Sequence, residues 1–219
     1  MKRAPAPLPR SFYAANPRRG PHASGVPFGP ETVDIARDLL GCVLWRRLGD
    51  ELLAARIVET EAYLGANDRA SHARGGLRSA RNRSMYLAGG HAYVYFTYGM
   101  HFCMNVVTAE EDIAEAVLLR AAEPIHGIET IRRNRPKAKR DSDLLSGPGK
   151  LCMGMAINRE QDGLPLDGKA LFITAREVVI EDQEIEVTSR IGIDNSGEAS
   201  QWPLRFLIRG NPHVSGRKR

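Results

Sequence analysis

The stretch Tyr93-Val94-Tyr95-Phe96-Thr97-Tyr98-Gly99-Met100-His101-Phe102-Cys103-Met104-Asn105 decides how this chain folds. Two apolar, aromatic-rich runs flank Tyr98-Gly99-Met100, and Gly99 supplies the positive φ that a tight turn needs. The stretch reads as a β-hairpin. Four of the twelve Phe and Tyr residues fall within positions 93–98. Strand alternation divides them between two faces. Val94 and Phe96 read as packed core, whereas Tyr98 and Met100 are left at an exposed tip. Exposed apolar side chains of this kind act as wedges in minor-groove binders, where they unstack a base step.

On either side of the hairpin, strands mostly follow strands. Further strands are expected at Cys42–Arg47, Leu52–Tyr63, Ala116–Arg120, Leu171–Thr174, Glu177–Ile180, Ile185–Ile191 and Leu204–Arg209. A short helix opens at Pro30-Glu31-Thr32, shares a face among Val33, Ala36, Leu39 and Leu40, and stops at Gly41. Other helices are expected from about Ile125 to Arg133 and from Pro148 toward Ile157. The pattern is α+β in one domain, with an antiparallel or mixed sheet. Residues 1–30 hold seven of the thirteen prolines, five Lys or Arg and no acid. They read as a flexible arm, with a tail that wraps the core as the alternative. Residues 31–215 form the domain, and residues 216–219 a small basic tail.

The 219 residues suffice for one well-buried core. No apolar run is long enough to span a bilayer, so no membrane association is expected. Three cysteines without a CxxC pair exclude a disulfide scaffold and a zinc ribbon. They read as buried structural residues in an intracellular protein, of the cytoplasm and nucleoid or of a nucleus. The net charge of +5 permits a polyanionic partner without requiring one.

Three segments carry chemistry. In Arg56-Ile57-Val58-Glu59-Thr60-Glu61-Ala62-Tyr63, strand geometry puts Glu59, Glu61 and Tyr63 on one face, the carboxylates about 6.7 Å apart. The pair reads as a general base with a tuning acid, or as a solvated edge, and spacing alone slightly favours the edge. The loop from Asp68 to Arg83 holds Arg69, Arg74, Arg78, Arg81 and Arg83 against a single acid. Arginines at that density suit phosphate contacts, or form an ordinary charged surface. Within the loop, His72 reads as a ligand, a hydrogen-bonding partner or, by base rate, a surface residue. Arg120 ends the apolar run Ala116-Val117-Leu118-Leu119 and needs a carboxylate there, with Glu61 and Glu123 as candidates. A basic block from Arg132 to Arg140 adds positive charge. Ser146-Gly147-Pro148-Gly149-Lys150-Leu151 fails the P-loop pattern, because Leu151 stands where Ser or Thr is required.

These segments, in this order and spacing, resemble the alkyladenine (3-methyladenine) DNA glycosylase family of the mammalian type. The resemblance rests on Arg56 through Gly65, Ala70 through Gly76, Arg81-Asn82-Arg83, Tyr93-Val94-Tyr95, Tyr98-Gly99-Met100, Cys103-Met104-Asn105, Leu118 through Ala121 and Glu123-Pro124. Ser146 through Cys152 and Arg190 through Glu198 extend it. It covers roughly residues 31–215, and the joint order of individually weak motifs makes it specific. His101 departs from it, standing where another aromatic is expected.

The resemblance implies a curved antiparallel sheet with a protruding, DNA-inserting hairpin. It implies a monofunctional enzyme, without cofactor or metal, acting as a monomer on double-stranded DNA. The implied reaction is excision of alkylated or deaminated purines (3-methyladenine, hypoxanthine, ethenoadenine) by water attack on the N-glycosidic bond. Glu61 would activate the water, with Arg120 beside it and a backbone carbonyl near Ile208 holding the same water. Tyr63, His72 and Tyr95 would hold the flipped base, Asn105 would disfavour guanine, and Tyr98 with Met100 would fill the gap in the duplex. Two rivals stand beside this reading: a basic module that binds nucleic acid without chemistry, and a hydrolase of free nucleosides. Paired acids weaken the first and the arginine loop weakens the second.

Overall fold

A computed structural model describes residues 5–14 and 30–216. In chain order the main elements are α1 (Pro30–Asp38), β1 (Val43–Leu48), β2 (Glu51–Tyr63), β3 (Ala92–Thr97), β4 (His101–Thr108), β5 (Glu115–His126), α2 (Ile128–Asn134), α3 (Pro148–Gly154), β6 (Leu171–Thr174), β7 (Ile185–Thr188) and β8 (Arg205–Ile208). All pairings between these strands are antiparallel, and the sheet is curved. Its main path runs β3-β4-β5-β2-β1-β6, with β8 on β2 and β7 on β8. The class is α+β.

β2 organises this sheet. Along one edge it pairs with β5 over nearly its whole length. On the other, Glu51–Arg56 pair with β1 and Glu59–Glu61 pair with β8, so the sheet forks near Val58. The β2–β5 register slips twice at the fork. Val58 has no opposite residue on β5, and Arg120 has none on β2. Such bulges re-aim side chains locally. The fork is where the candidate catalytic residues lie.

One face of the sheet is the core. Ile57 and Ala62 of β2, Val94 of β3, Met104 and Val106 of β4, and Val117 and Leu119 of β5 join Val33, Ala36, Leu39 and Leu40 from the α1 region. Thr60 adds a hydrogen bond from its Oγ1 to the Ala36 carbonyl at 2.7 Å. α3 packs on β4 and β5 from the same cluster. At the end of β3, Met100 N–H donates to the Thr97 carbonyl, and the two residues between have φ of +51° (Tyr98) and +66° (Gly99). Gly99 takes that conformation freely and tyrosine does not.

Three expectations are corrected. The helix expected from about Ile125 is preceded by strand: β5 continues to His126, because Ala54 and Ala55 of β2 offer it partners, and α2 starts only at Ile128. No strand forms at Glu177–Ile180. The outer edge of β6 is instead met by the N-terminal segment, through the Leu8 N–H to the Ile173 carbonyl at 2.7 Å. Val178 and Val179 are left exposed. Part of the expected flexible arm is packed structure: Leu8 and Tyr13 are buried. Tyr13 lies so close to Gly89 and Gly90 that a Cβ would come within 2.5 Å of its carbonyl oxygen and 2.9 Å of its ring. The rest of the arm, and Arg217–Arg219, lie outside the described residues.

Candidate active site

The strand period of two collects the site on the face opposite the core. β2 turns Glu59, Glu61 and Tyr63 to that face, β3 Tyr93 and Tyr95, β4 Cys103 and Asn105, and β5 Leu118 and Arg120. All of these except Glu59 and Glu61 line, together with loop residues, a cavity of about 640 Å³. Tyr63, His72, Tyr95, Tyr98, Asn105 and Arg120 all line it. Ligand sites are typically of this size.

Behind the lining, Glu59 and Glu61 are both fully buried, which corrects the solvated-edge reading. The reason is topological: β2 is a central strand at this point, held by β5 and β8. Arg120 bridges the two acids, Nε to Glu59 Oε1 at 2.9 Å and Nη1 to Glu61 Oε1 at 3.1 Å. Of its two expected partners, Glu61 is met and Glu123 is not; Glu123 pairs instead with Arg56 at 2.9 Å. Glu59 also accepts from Arg205 Nε at 2.7 Å, from the Ser215 N–H at 2.6 Å and from Ser215 Oγ at 2.8 Å. Two acids and two arginines balance, as buried charge requires.

Glu61 has a different set of partners. The Ile191 N–H donates to Oε1 at 2.8 Å, and the Tyr63 hydroxyl donates to Oε2 at 2.9 Å. Burial pushes its carboxyl above the usual range, while Arg120, the Ile191 N–H and Tyr63 pull it back in part. Burial and the Glu61 charge hold the Tyr63 hydroxyl well above its ordinary value, so it stays a donor. For Arg120 burial acts downward, but Glu61 and Glu59 prevail and raise it. A carboxylate offers about four acceptor sites. Two hydrogen bonds reach Glu61, one at each oxygen, and the Arg120 ion pair adds to Oε1.

The aromatic walls are braced from behind. His72 Nδ1 lies 2.8 Å from the Tyr93 hydroxyl, and its ring meets Tyr95 edge-on with centroids 4.5 Å apart. The base-rate expectation of a surface histidine is thus replaced by a hydrogen-bonding partner. Burial, then Arg81 and Arg74, lowers its pKa to about 4. Asn82 holds the loop that carries it, donating to the His72 and Leu77 carbonyls and accepting from Ser79. Asn105 donates to the Tyr93 carbonyl at 3.0 Å, which fixes its amide against the cavity wall. All five arginines of the loop are exposed. Cys103 is buried yet reaches the cavity, whereas Cys42 and Cys152 do not.

Tyr98 and Met100 stand exposed beside the turn, 82% and 69%, as a tip pair would, and Tyr98 also reaches the cavity rim. One expected site residue lies elsewhere. Ile208 lies on β8 opposite Ile185, does not line the cavity, and its carbonyl accepts from the Asn211 N–H. The backbone that meets Glu61 belongs to Ile191, which follows Arg190 in a loop. Sequence reading also missed Asp68, Arg190, Arg205 and Ser215. The lone acid in an arginine-rich loop was the available signal for Asp68, whose partner is Arg190 at 2.5 Å.

Comparison with known proteins bears on the same residues. The family profile described as methylpurine-DNA glycosylase matches residues 27–212. A relative from Methanocella arvoryzae is 45% identical over 214 residues, 96% of each chain. The DNA-3-methyladenine glycosylase of Homo sapiens is 41% identical over 218 residues, 94% of this chain and 72% of that protein. A relative from Bdellovibrio bacteriovorus is 44% identical over 187 residues, 84% of this chain and 94% of its own. With the match spanning the forked sheet, the buried acids and the aromatic cavity alike, the chain belongs to the methylpurine-DNA glycosylase family.

Proposed function

We propose that this DNA glycosylase, acting as a monomer where the cell keeps its DNA, flips alkylated or deaminated purines out of the duplex and hydrolyses their N-glycosidic bonds. 3-Methyladenine, hypoxanthine and ethenoadenine are the substrate class. The observation that carries the reading is Glu61: a fully buried carboxylate behind an aromatic cavity, held by two hydrogen bonds and the Arg120 ion pair, with acceptor capacity left at Oε2.

A base in the stack is out of reach of any carboxylate, so it must first leave the duplex, at a cost of a few kcal/mol. Tyr98, exposed beside a tight turn, fills the gap and offsets part of that cost, with Met100 beside it. The exposed arginines of the 69–83 loop hold phosphates. Tyr63, His72 and Tyr95 receive the purine, and Asn105, its amide fixed by Tyr93, crowds the exocyclic amine of guanine. Glu61 takes a proton from water as the oxygen bonds to C1′. The C1′–N bond breaks, and the base leaves with the bonding pair. A cationic alkylpurine leaves neutral; a neutral lesion needs a proton as it goes. The ionised Glu61 also faces the positive charge that develops on the sugar, as in other glycoside hydrolysis. A raised carboxyl pKa suits a base, because it narrows the gap to working pH. Among the described residues, none that lines the cavity is a lysine, which supports hydrolysis without a Schiff base.

The test is excision from duplex oligonucleotides carrying one hypoxanthine, ethenoadenine or 3-methyladenine, with alkali revealing abasic sites. Wild type excises in the presence of EDTA and leaves the strand intact until alkali is added, and Glu61→Gln does not excise. Excision by Glu61→Gln at the wild-type rate would remove Glu61 from the mechanism.

A further inference from the structure

Arg190 is buried together with Asp68, both side chains having no exposed surface. Its guanidinium reaches four acceptors. Nη1 donates to Asp68 Oδ2 at 2.5 Å and to the Ala62 carbonyl at 2.9 Å. Nη2 donates to Asp68 Oδ1 at 2.9 Å and to the Ala199 carbonyl at 3.1 Å. Asp68 in turn accepts from the Leu64 and Ala70 N–H groups, at 3.1 and 2.9 Å. One side chain thus ties the end of β2, the loop after it and the turn around Ala199. Nε, also buried, has no acceptor. The guanidinium leaves that donor unsatisfied while its Cζ sits over the Tyr63 ring, 4.7 Å from the ring centre. A buried ion pair with an orphaned donor is a weak source of stability.

What the placement does supply is a hold on Glu61. Arg190 backs Tyr63, whose hydroxyl binds Glu61 Oε2. The next residue, Ile191, binds Oε1 with its N–H. Both carboxylate oxygens are therefore located by two consecutive residues, one through a ring and one through the backbone. We propose that Arg190 is a positioning residue for hydrolysis, fixing Glu61 through Tyr63 and through the Ile191 N–H. The inference rests on Glu61 being the base. The charged and titratable groups around Glu61 are Arg120 from β5, Glu59 and Tyr63 from β2, Cys103 from β4 and, beyond Glu59, Arg205 from β8. None of them contacts Arg190 except Tyr63.

Removing Arg190 alone would strand the Asp68 charge, so the test removes both charges. In Arg190→Met/Asp68→Asn the amide oxygen still accepts one of the two loop N–H groups, and Arg190→Lys is the conservative partner. Single-turnover excision of hypoxanthine from a duplex is measured against pH, with duplex affinity and thermal midpoint alongside. Misplacing a catalytic group by an ångström costs on the order of 100-fold. The double variant is expected to lose roughly that much at the plateau. Its acid limb is expected to move to higher pH, because Glu61 loses donors that stabilise its anion. Duplex affinity should change only a few-fold. Arg190→Lys returns a cation behind Tyr63 and recovers part of the rate and part of the shift. A wild-type plateau, or a loss of rate with the acid limb unmoved, overturns the proposal, since damage to packing alone reduces the number of active molecules and not their titration. Glu61→Gln runs beside these variants. If Glu61→Gln keeps its activity, the base assignment fails; if it is inactive while the Arg190 variants match wild type, only the positioning role fails.

Discussion

Replacing Glu59 by Gln keeps the side chain's shape and removes its charge. The carboxylate now accepts three bonds at Oε1, from Arg120, Arg205 and Ser215 Oγ, and one at Oε2, from the Ser215 N–H. Glutamine can place its single oxygen at the first position, but its amide NH₂ then faces the Ser215 N–H. One bond becomes a clash of donors. Worse, two buried arginines are left with one acid between them, and Glu61 touches only Arg120. Breaking a buried ion pair costs about 3–5 kcal/mol. In a domain of this size each kcal/mol lowers the thermal midpoint by about 2–4 °C. The expected fall is thus roughly 6–20 °C, from the product of those two ranges. Glu123→Gln is the control. Its partner Arg56 is 44% exposed, and such pairs contribute about 1 kcal/mol or less. Calorimetry of the two variants at one pH decides the matter. If Glu59→Gln melts within a degree or two of Glu123→Gln, the carboxylate is not holding the arginines, and the charge balance at the sheet fork is the wrong account.

Tyr98→Gly relieves a tyrosine held at φ +51°, so the thermal midpoint should rise by the equivalent of about 1 kcal/mol while excision falls; a variant less stable than wild type would show that the turn is unstrained. His72, with its pKa lowered to about 4, should stay neutral by NMR from pH 8 to 5. Because the folded value lies below the unfolded one, the stability it adds is complete above pH about 6.5 and is lost as pH falls toward 4. His72→Gln should therefore flatten the loss of stability between those pH values, and a variant with the wild-type acid profile would refute the shift.

The parts of this site that the sequence disclosed are those that obey a strand's period. Glu59, Glu61 and Tyr63 share a face because they are spaced by two, and the same rule puts Tyr93, Tyr95, Cys103 and Asn105 across from them. What the period leaves open is whether that face is wet. The solvated-edge reading of the two acids was reasonable for a strand with a free edge. It failed because residues nearly 150 positions later, in β8, occupy that edge. No local pattern announces a pairing of that range. The start of the helix expected from about Ile125 shifted to Ile128 for a like reason, since β2 offered a partner to the residues before it. Tyr13 gave no periodic signal at all, and only the absence of side chains at Gly89 and Gly90 makes its niche.

The bulges explain why the most chemical residues were also the hardest to place. Perfect alternation through β5 would carry Arg120 opposite a single residue of β2. The slip that leaves Arg120 unopposed lets one guanidinium lie between Glu59 and Glu61. The sheet gives up regular pairing at the fork, and a bulge exposes backbone that a ladder would otherwise satisfy. At this point β8 pairs with the other edge of β2, and the Ser215 and Ile191 N–H groups bond the Glu59 and Glu61 carboxylates, all from the last quarter of the chain. The C-terminal segments thus complete the polar network behind the cavity. A truncation before Leu204 would leave two buried carboxylates with one arginine, an arrangement that burial strongly disfavours.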